Sequence, residues 1–151
     1  MIVARLFCLI ALALCASSVA AQTCASPIQI TTTGTTTGTT CSGTSELPSL
    51  VNGSMTGGQQ IVHRITLTPG ASSGIQLSLQ PDAGADMSLF VCSNTCSPVA
   101  SCIAAVDDNG IGGVETASLP NTPGDYYIIV QTSAGGTPAC GGYALTVASP
   151  L

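Results

Sequence analysis

Apolar and polar residues alternate with a period of two along most of this chain. From Gln60 to Thr68, the residues Ile61, His63, Ile65 and Leu67 share one side, and Val62, Arg64, Thr66 and Thr68 share the other. From Gly74 to Gln80, Ile75, Leu77 and Leu79 alternate with Gln76, Ser78 and Gln80. Near the C-terminus Tyr143, Leu145 and Val147 alternate with Ala144, Thr146 and Ala148. Asp125 to Thr132 reads differently. A Pro123-Gly124 turn feeds a run of aromatic and β-branched residues with few polar interruptions, the composition of a buried strand around which the others pack. Shorter strands are predicted over Met87–Cys92, Cys102–Val106 and Val114–Leu119. A first strand is predicted near Ile28–Thr33, followed by a turn and an extended piece ending at Cys41. Pro69-Gly70, Pro81–Ala85, Asp107-Asp108-Asn109-Gly110 and Pro120–Gly124 are the turns between them. Beyond the first residues, no segment carries a helical apolar period. Several short strands separated by Gly and Pro turns predict an all-β, antiparallel β-sandwich of jelly-roll type.

The start of the chain belongs to a different category. Met1 to Arg5 carries one positive charge, Leu6 to Ala16 is apolar, and Ser17 to Ala21 is small and neutral. This is the pattern of a signal peptide cleaved after Ala20 or Ala21. Cys15 follows Leu14 and Cys24 follows Thr23, so neither sits in a lipidation context. The expectation is a signal peptide over 1–21 and one exported domain over 22–151, soluble and without a membrane span. Its segment 22–58 is rich in Thr and Gly and closed by a disulfide. Within that segment Ser42–Gly58 lacks periodicity, and Asn52-Gly53-Ser54 fits a glycosylation sequon.

Removing residues 1–21 leaves Cys24, Cys41, Cys92, Cys96, Cys102 and Cys140. An even number of cysteines in an exported domain reads as a disulfide framework. Sequence proximity favours Cys24–Cys41 and Cys96–Cys102, leaving Cys92 for Cys140; the last two pairs can exchange partners. Arg64 is then the only Lys or Arg, against Glu46, Asp82, Asp86, Asp107, Asp108, Glu115 and Asp125. A chain this acidic lacks the electrostatic basis for binding nucleic acid or an anionic membrane surface. It also offers few sites to trypsin-like proteases.

Candidate chemistry is sparse. His63 is the only histidine, so any Ser/His/Asp or Cys/His mechanism would have to use it. It lies between Ile61 and Ile65 on an apolar face, which reads as a core imidazole. A small hydrolase built on His63 is therefore the weakest of the functional readings. The acidic turn Asp107-Asp108-Asn109-Gly110 with Glu115 fails as an EF-hand, because Ala105 and Thr116 stand where the loop's first and last ligands belong. A looser calcium site from Asp86, Asp107 and Asp108 is the metal candidate. The alternative is a β-turn in which Asp and Asn cap backbone amides. Apart from calcium, no cofactor is implied. Tyr126 points inward with Ile128 and Val130, which leaves Tyr127 as the candidate for a binding face.

Three stretches together resemble the bacterial pre-peptidase C-terminal domain family. They are His63-Arg64-Ile65-Thr66-Leu67, Asp86-Met87-Ser88-Leu89-Phe90-Val91, and the pair Pro123-Gly124-Asp125-Tyr126-Tyr127-Ile128-Ile129-Val130 with Gly142-Tyr143-Ala144-Leu145-Thr146-Val147. These are similar to the family's F-R-F-T, D-x-D-L-x-L and closing-pair strands. The resemblance runs from about Gln60 onward. It implies a secreted β-sandwich that is non-catalytic and binds an extracellular polymer or protein through its loops or a sheet face, in some members with calcium. Ser88 replaces the second Asp of the D-x-D motif and His63 replaces an aromatic, and both are departures from the family pattern. A self-assembling, calcium-dependent adhesin or matrix protein is the alternative, since Thr-rich β-edges can pair between chains.

Overall fold

The computed structural model describes residues 23–45, 58–70, 74–96, 102–133 and 138–148. The signal-peptide expectation over 1–21 and the sequon at Asn52 lie outside these residues. Among the described residues nine strands follow in order: β1 (Ile28–Gln29), β2 (Gly34–Thr39), β3 (Gln60–Leu67), β4 (Gln76–Pro81), β5 (Met87–Ser93), β6 (Cys102–Val106), β7 (Glu115–Ser118), β8 (Gly124–Thr132) and β9 (Gly142–Ala148). They form two facing sheets, a five-stranded one ordered β1-β3-β8-β5-β6 and a four-stranded one ordered β2-β9-β4-β7. The all-β sandwich read from the alternation is the architecture of the chain. One pairing departs from it: β1 runs parallel to β3, with Ile28 opposite His63 and Gln29 opposite Arg64. The chain then crosses to the other sheet, where β2 pairs antiparallel with β9.

Burial follows the side-chain period. In β4, Leu77 and Leu79 are buried while Gln76 and Gln80 are exposed; in β9, Tyr143, Leu145 and Val147 are buried. β8 sits between β3 and β5 and contributes to both faces of its sheet. Tyr126, Ile128 and Val130 enter the core between the sheets with Ile61, Ile65, Leu89, Leu77 and Leu145. Ile129 enters a second cluster with Val62, Phe90, Cys92 and Cys96, against which Tyr127, Cys24 and Cys102 pack. Because both of its faces are covered, β8 has an almost continuous apolar sequence. The Tyr126 hydroxyl donates to the carbonyl of Thr122 at 2.8 Å and also contacts the Thr122 hydroxyl. These bonds pin the start of β8 to the preceding turn, much as the tyrosine corner does in other β-sandwiches.

Among the described residues three disulfides are present, and their pairing corrects the expectation from proximity. Cys24 joins Cys96, Cys41 joins Cys140, and Cys92 joins Cys102. Strand register decides the pairs. Cys92 and Cys102 are direct partners across β5 and β6. Cys41 and Cys140 flank the end of the β2–β9 ladder, where Thr39 faces Gly142. Cys24 and Cys96 meet at the second apolar cluster. Proximity along the chain misled because a sandwich brings distant segments side by side: the first two bridges span 72 and 99 residues.

Closing a loop that long removes much denatured-state entropy. The Cys41→Ser/Cys140→Ser double variant is expected to lose about 4 kcal/mol in denaturant unfolding and to show no free thiol. The Cys24→Ser/Cys41→Ser variant should instead leave two titratable thiols, from the orphaned Cys96 and Cys140. The opposite thiol result would restore the Cys24–Cys41 pair.

Candidate binding surface

His63 is fully buried in the middle of β3. Its Nε2 is 2.9 Å from the Tyr143 hydroxyl of β9, a bond from one sheet to the other, with the rings edge to face. The Nδ1 is buried without a partner. Burial lowers the imidazole pKa from 6.5 to about 4 and raises that of the Tyr143 hydroxyl. In the imidazolium form both ring nitrogens would need acceptors, and Nδ1 has none. Tyr143 in turn fixes the residue above it: a Cβ on Gly38 would lie 2.5 Å from the Tyr143 hydroxyl oxygen. His63 therefore ties the sheets together and is held away from any substrate.

The acidic turn is organised by Glu115, which stands outside the three-residue calcium set of Asp86, Asp107 and Asp108. Glu115 begins β7 and is fully buried. Its carboxyl oxygens accept the amide N–H groups of Asp108 (3.1 Å) and Asn109 (2.7 Å), and Asn109 Nδ2 donates to the Val114 carbonyl at 2.8 Å. The amide-capping expectation thus describes this turn, but Glu115 supplies the main cap. Asp107 accepts a hydrogen bond from Ser88 Oγ at 3.0 Å. The Asp86 carbonyl accepts from Ser133 N, and its Oδ1 is buried without a partner. Asp108 is exposed. Among the described residues no group of three or more His, Cys, Asp or Glu side chains is placed to hold a metal ion.

Tyr127 lies on the outward side of β8 and is half-buried over the second apolar cluster. The ladder places it directly opposite Arg64 on β3 and Cys92 on β5. Arg64 is fixed from two sides: its Nε donates to Gln29 Oε1 on β1 at 3.0 Å, and its Nη1 lies 3.8 Å from Asp125 Oδ2. The Thr66 hydroxyl also donates to Asp125. Tyr127 is therefore one member of a composite surface with Arg64, Asp125 and Gln29. The sequence held one signal for Arg64, the only Lys or Arg after Arg5 and on the polar side of a strand, but the β3–β8 register was needed to bring it to Tyr127.

No family model and no curated protein matches the sequence. The two-sheet sandwich is the fold of a pre-peptidase C-terminal domain. The pre-peptidase C-terminal domain of a collagenase from Bacillus anthracis matches it with a TM-score of 0.54 and 19% identity, over 81% of this chain and 94% of that one. A periplasmic inhibitor of g-type lysozyme from Aeromonas hydrophila, PliG, gives a TM-score of 0.48 and 17% identity, over 83% and 96%. Among the described residues no helix is long and apolar enough to cross a membrane.

The depressed His63 pKa has a signed consequence. Between pH 6.5 and about 4 the unfolded chain takes up a proton that the folded chain refuses. The stability held above pH 6.5 is lost as the pH falls through this window, by about 3 kcal/mol for this residue. In His63→Leu, denaturant titrations across the same range should lack that slope; an unchanged slope would mean that the imidazole titrates normally. A second expectation concerns the acidic turn. Millimolar calcium followed by a chelator should leave the unfolding temperature unchanged, and a clear rise with calcium would overturn the geometric argument.

Proposed function

We propose that this chain is an exported, non-catalytic binding module. It recognises an extracellular polymer or protein through the outward side of β3 and β8, centred on Tyr127 and Arg64. The observation that carries this reading is the direct pairing of an aromatic residue with the lone basic residue among those described, on a surface whose side chains are already positioned. Tyr and Arg supply much of the energy at binding surfaces because they combine large contact area with directed hydrogen bonding. Here Gln29 and Asp125 hold the guanidinium in place before any partner arrives, which lowers the ordering cost of association. His63, on which a histidine-based hydrolase would have to depend, is committed to Tyr143 inside the core. The disulfide framework suits an oxidising extracellular or periplasmic setting. The acidic composition favours partners other than nucleic acid and anionic membranes.

The test is binding of the oxidised protein to a fixed set of insoluble polymers (collagen, peptidoglycan, chitin and cellulose), measured by depletion from solution. At least one is expected to retain the protein, with Tyr127→Ala and Arg64→Ala each weakening retention roughly tenfold or more and His63→Leu leaving it unchanged. Binding that survives both surface substitutions would move the site elsewhere on the sandwich. Retention lost only in His63→Leu, with the fold intact, would reopen the hydrolase reading.

A further inference from the structure

We propose that the outer edge of β2 pairs with the same edge of a second copy of this chain, joining two four-stranded sheets into one. This inference stands independently of the binding surface described above, which lies on the other sheet.

A sheet edge offers a row of unpaired backbone N–H and C=O groups, and folded proteins usually guard it by shortness, bulges, charge or proline. Among the described residues, three of the four sheet edges are guarded in that way. β1 has 2 residues and β7 has 4. β6 has 5, and the register shift opposite Val91 and Cys92 leaves Ile103 as an extra residue in a bulge. β2 is the exception. It has 6 residues, Gly34-Thr35-Thr36-Thr37-Gly38-Thr39, with no charge and no proline. It pairs with β9 over its whole length without a shift, and it ends its sheet. Thr35, Thr37 and Thr39 are exposed.

The sequence of this edge indicates which partner fits. From Thr33 to Thr39 it reads Thr-Gly-Thr-Thr-Thr-Gly-Thr, the same in both directions. An antiparallel two-fold pairing centred on Thr36 therefore sets Gly34 of one copy against Gly38 of the other, and Thr35 against Thr37. A two-fold interface requires a patch complementary to itself, and a palindromic strand meets that requirement. Cross-strand Thr–Thr pairs are favourable, and the chain already makes one on the other side of β2, where Thr35 Oγ1 lies 2.8 Å from Thr146 Oγ1. The charge-free strand also lets two acidic chains approach without placing carboxylates face to face.

Sedimentation velocity on the purified, oxidised protein from about 1 μM to about 500 μM tests this directly. The weight-average mass is expected to rise toward twice the monomer value. The double variants Thr35→Asp/Thr37→Asp and Thr35→Lys/Thr37→Lys should each remain monomeric, because each opposes like charges at two positions. Their equimolar mixture should dimerise again, a recovery that misfolded variants could not produce. If either double variant fails to fold, Thr37→Lys alone is expected to reduce dimer formation at least tenfold. A wild-type chain that stays monomeric throughout overturns the proposal. So do double variants that dimerise as readily as the wild type, which would move the contact to another surface.

Discussion

Burial of β8 on both faces is the constraint on which the rest of the molecule depends. A strand whose alternate residues enter two separate apolar clusters cannot shift register by one position without exchanging them. Ile128 and Val130 belong to the core between the sheets, and Ile129 to the outer cluster with Phe90 and Val62. β3 and β5 are placed by their ladders to β8, and β1 and β6 are placed by theirs to β3 and β5. The Tyr126–Thr122 bonds fix where this strand begins. The composite surface of Tyr127 and Arg64 inherits its position from the same register.

The strands were legible in the sequence because each carries its own local signal. Leu77 and Leu79, or Tyr143, Leu145 and Val147, show a period of two that no helix can use, and Gly or Pro marks most of the ends. What was not legible depends on which strands become neighbours. The parallel placement of β1 beside β3 follows from a two-residue strand with no pattern to read. The disulfides follow the ladders, so Cys41 finds Cys140 rather than the nearer Cys24. Tyr127 was identified from alternation alone, but Arg64 and Asp125 join it only through the β3–β8 ladder. Glu115 was grouped with the acids of a metal turn, and the structure gives it two backbone amides instead. Spacing along a chain cannot distinguish a carboxyl group that binds a cation from one that satisfies buried N–H groups.

Polar groups inside this sandwich are placed where strand geometry leaves a need. The His63–Tyr143 bond crosses the gap between the sheets and restricts what can lie above it, and Gly38 meets that restriction by having no side chain. Thr40 and Thr132 join their hydroxyls at 2.6 Å, again between the N-terminal segment and the end of β8. Such contacts add specificity to a core whose apolar residues alone would tolerate several packings, since a mispacked polar pair leaves its members unsatisfied.

The Cys41–Cys140 bridge also determines how the domain would carry a mechanical load. It joins the end of β2 to the start of β9 and encloses the six strands between them in a covalent loop. A pull from the C-terminal side reaches this bridge after β9 alone has yielded and then passes through sulfur. From the N-terminal side it meets the Cys24–Cys96 bridge first, so the load is shared between the β1–β2 segment and the strands around Cys96, just after β5. The two ends would therefore give way unequally: the last strand peels from its sheet, while the first two are held short by a second covalent tether.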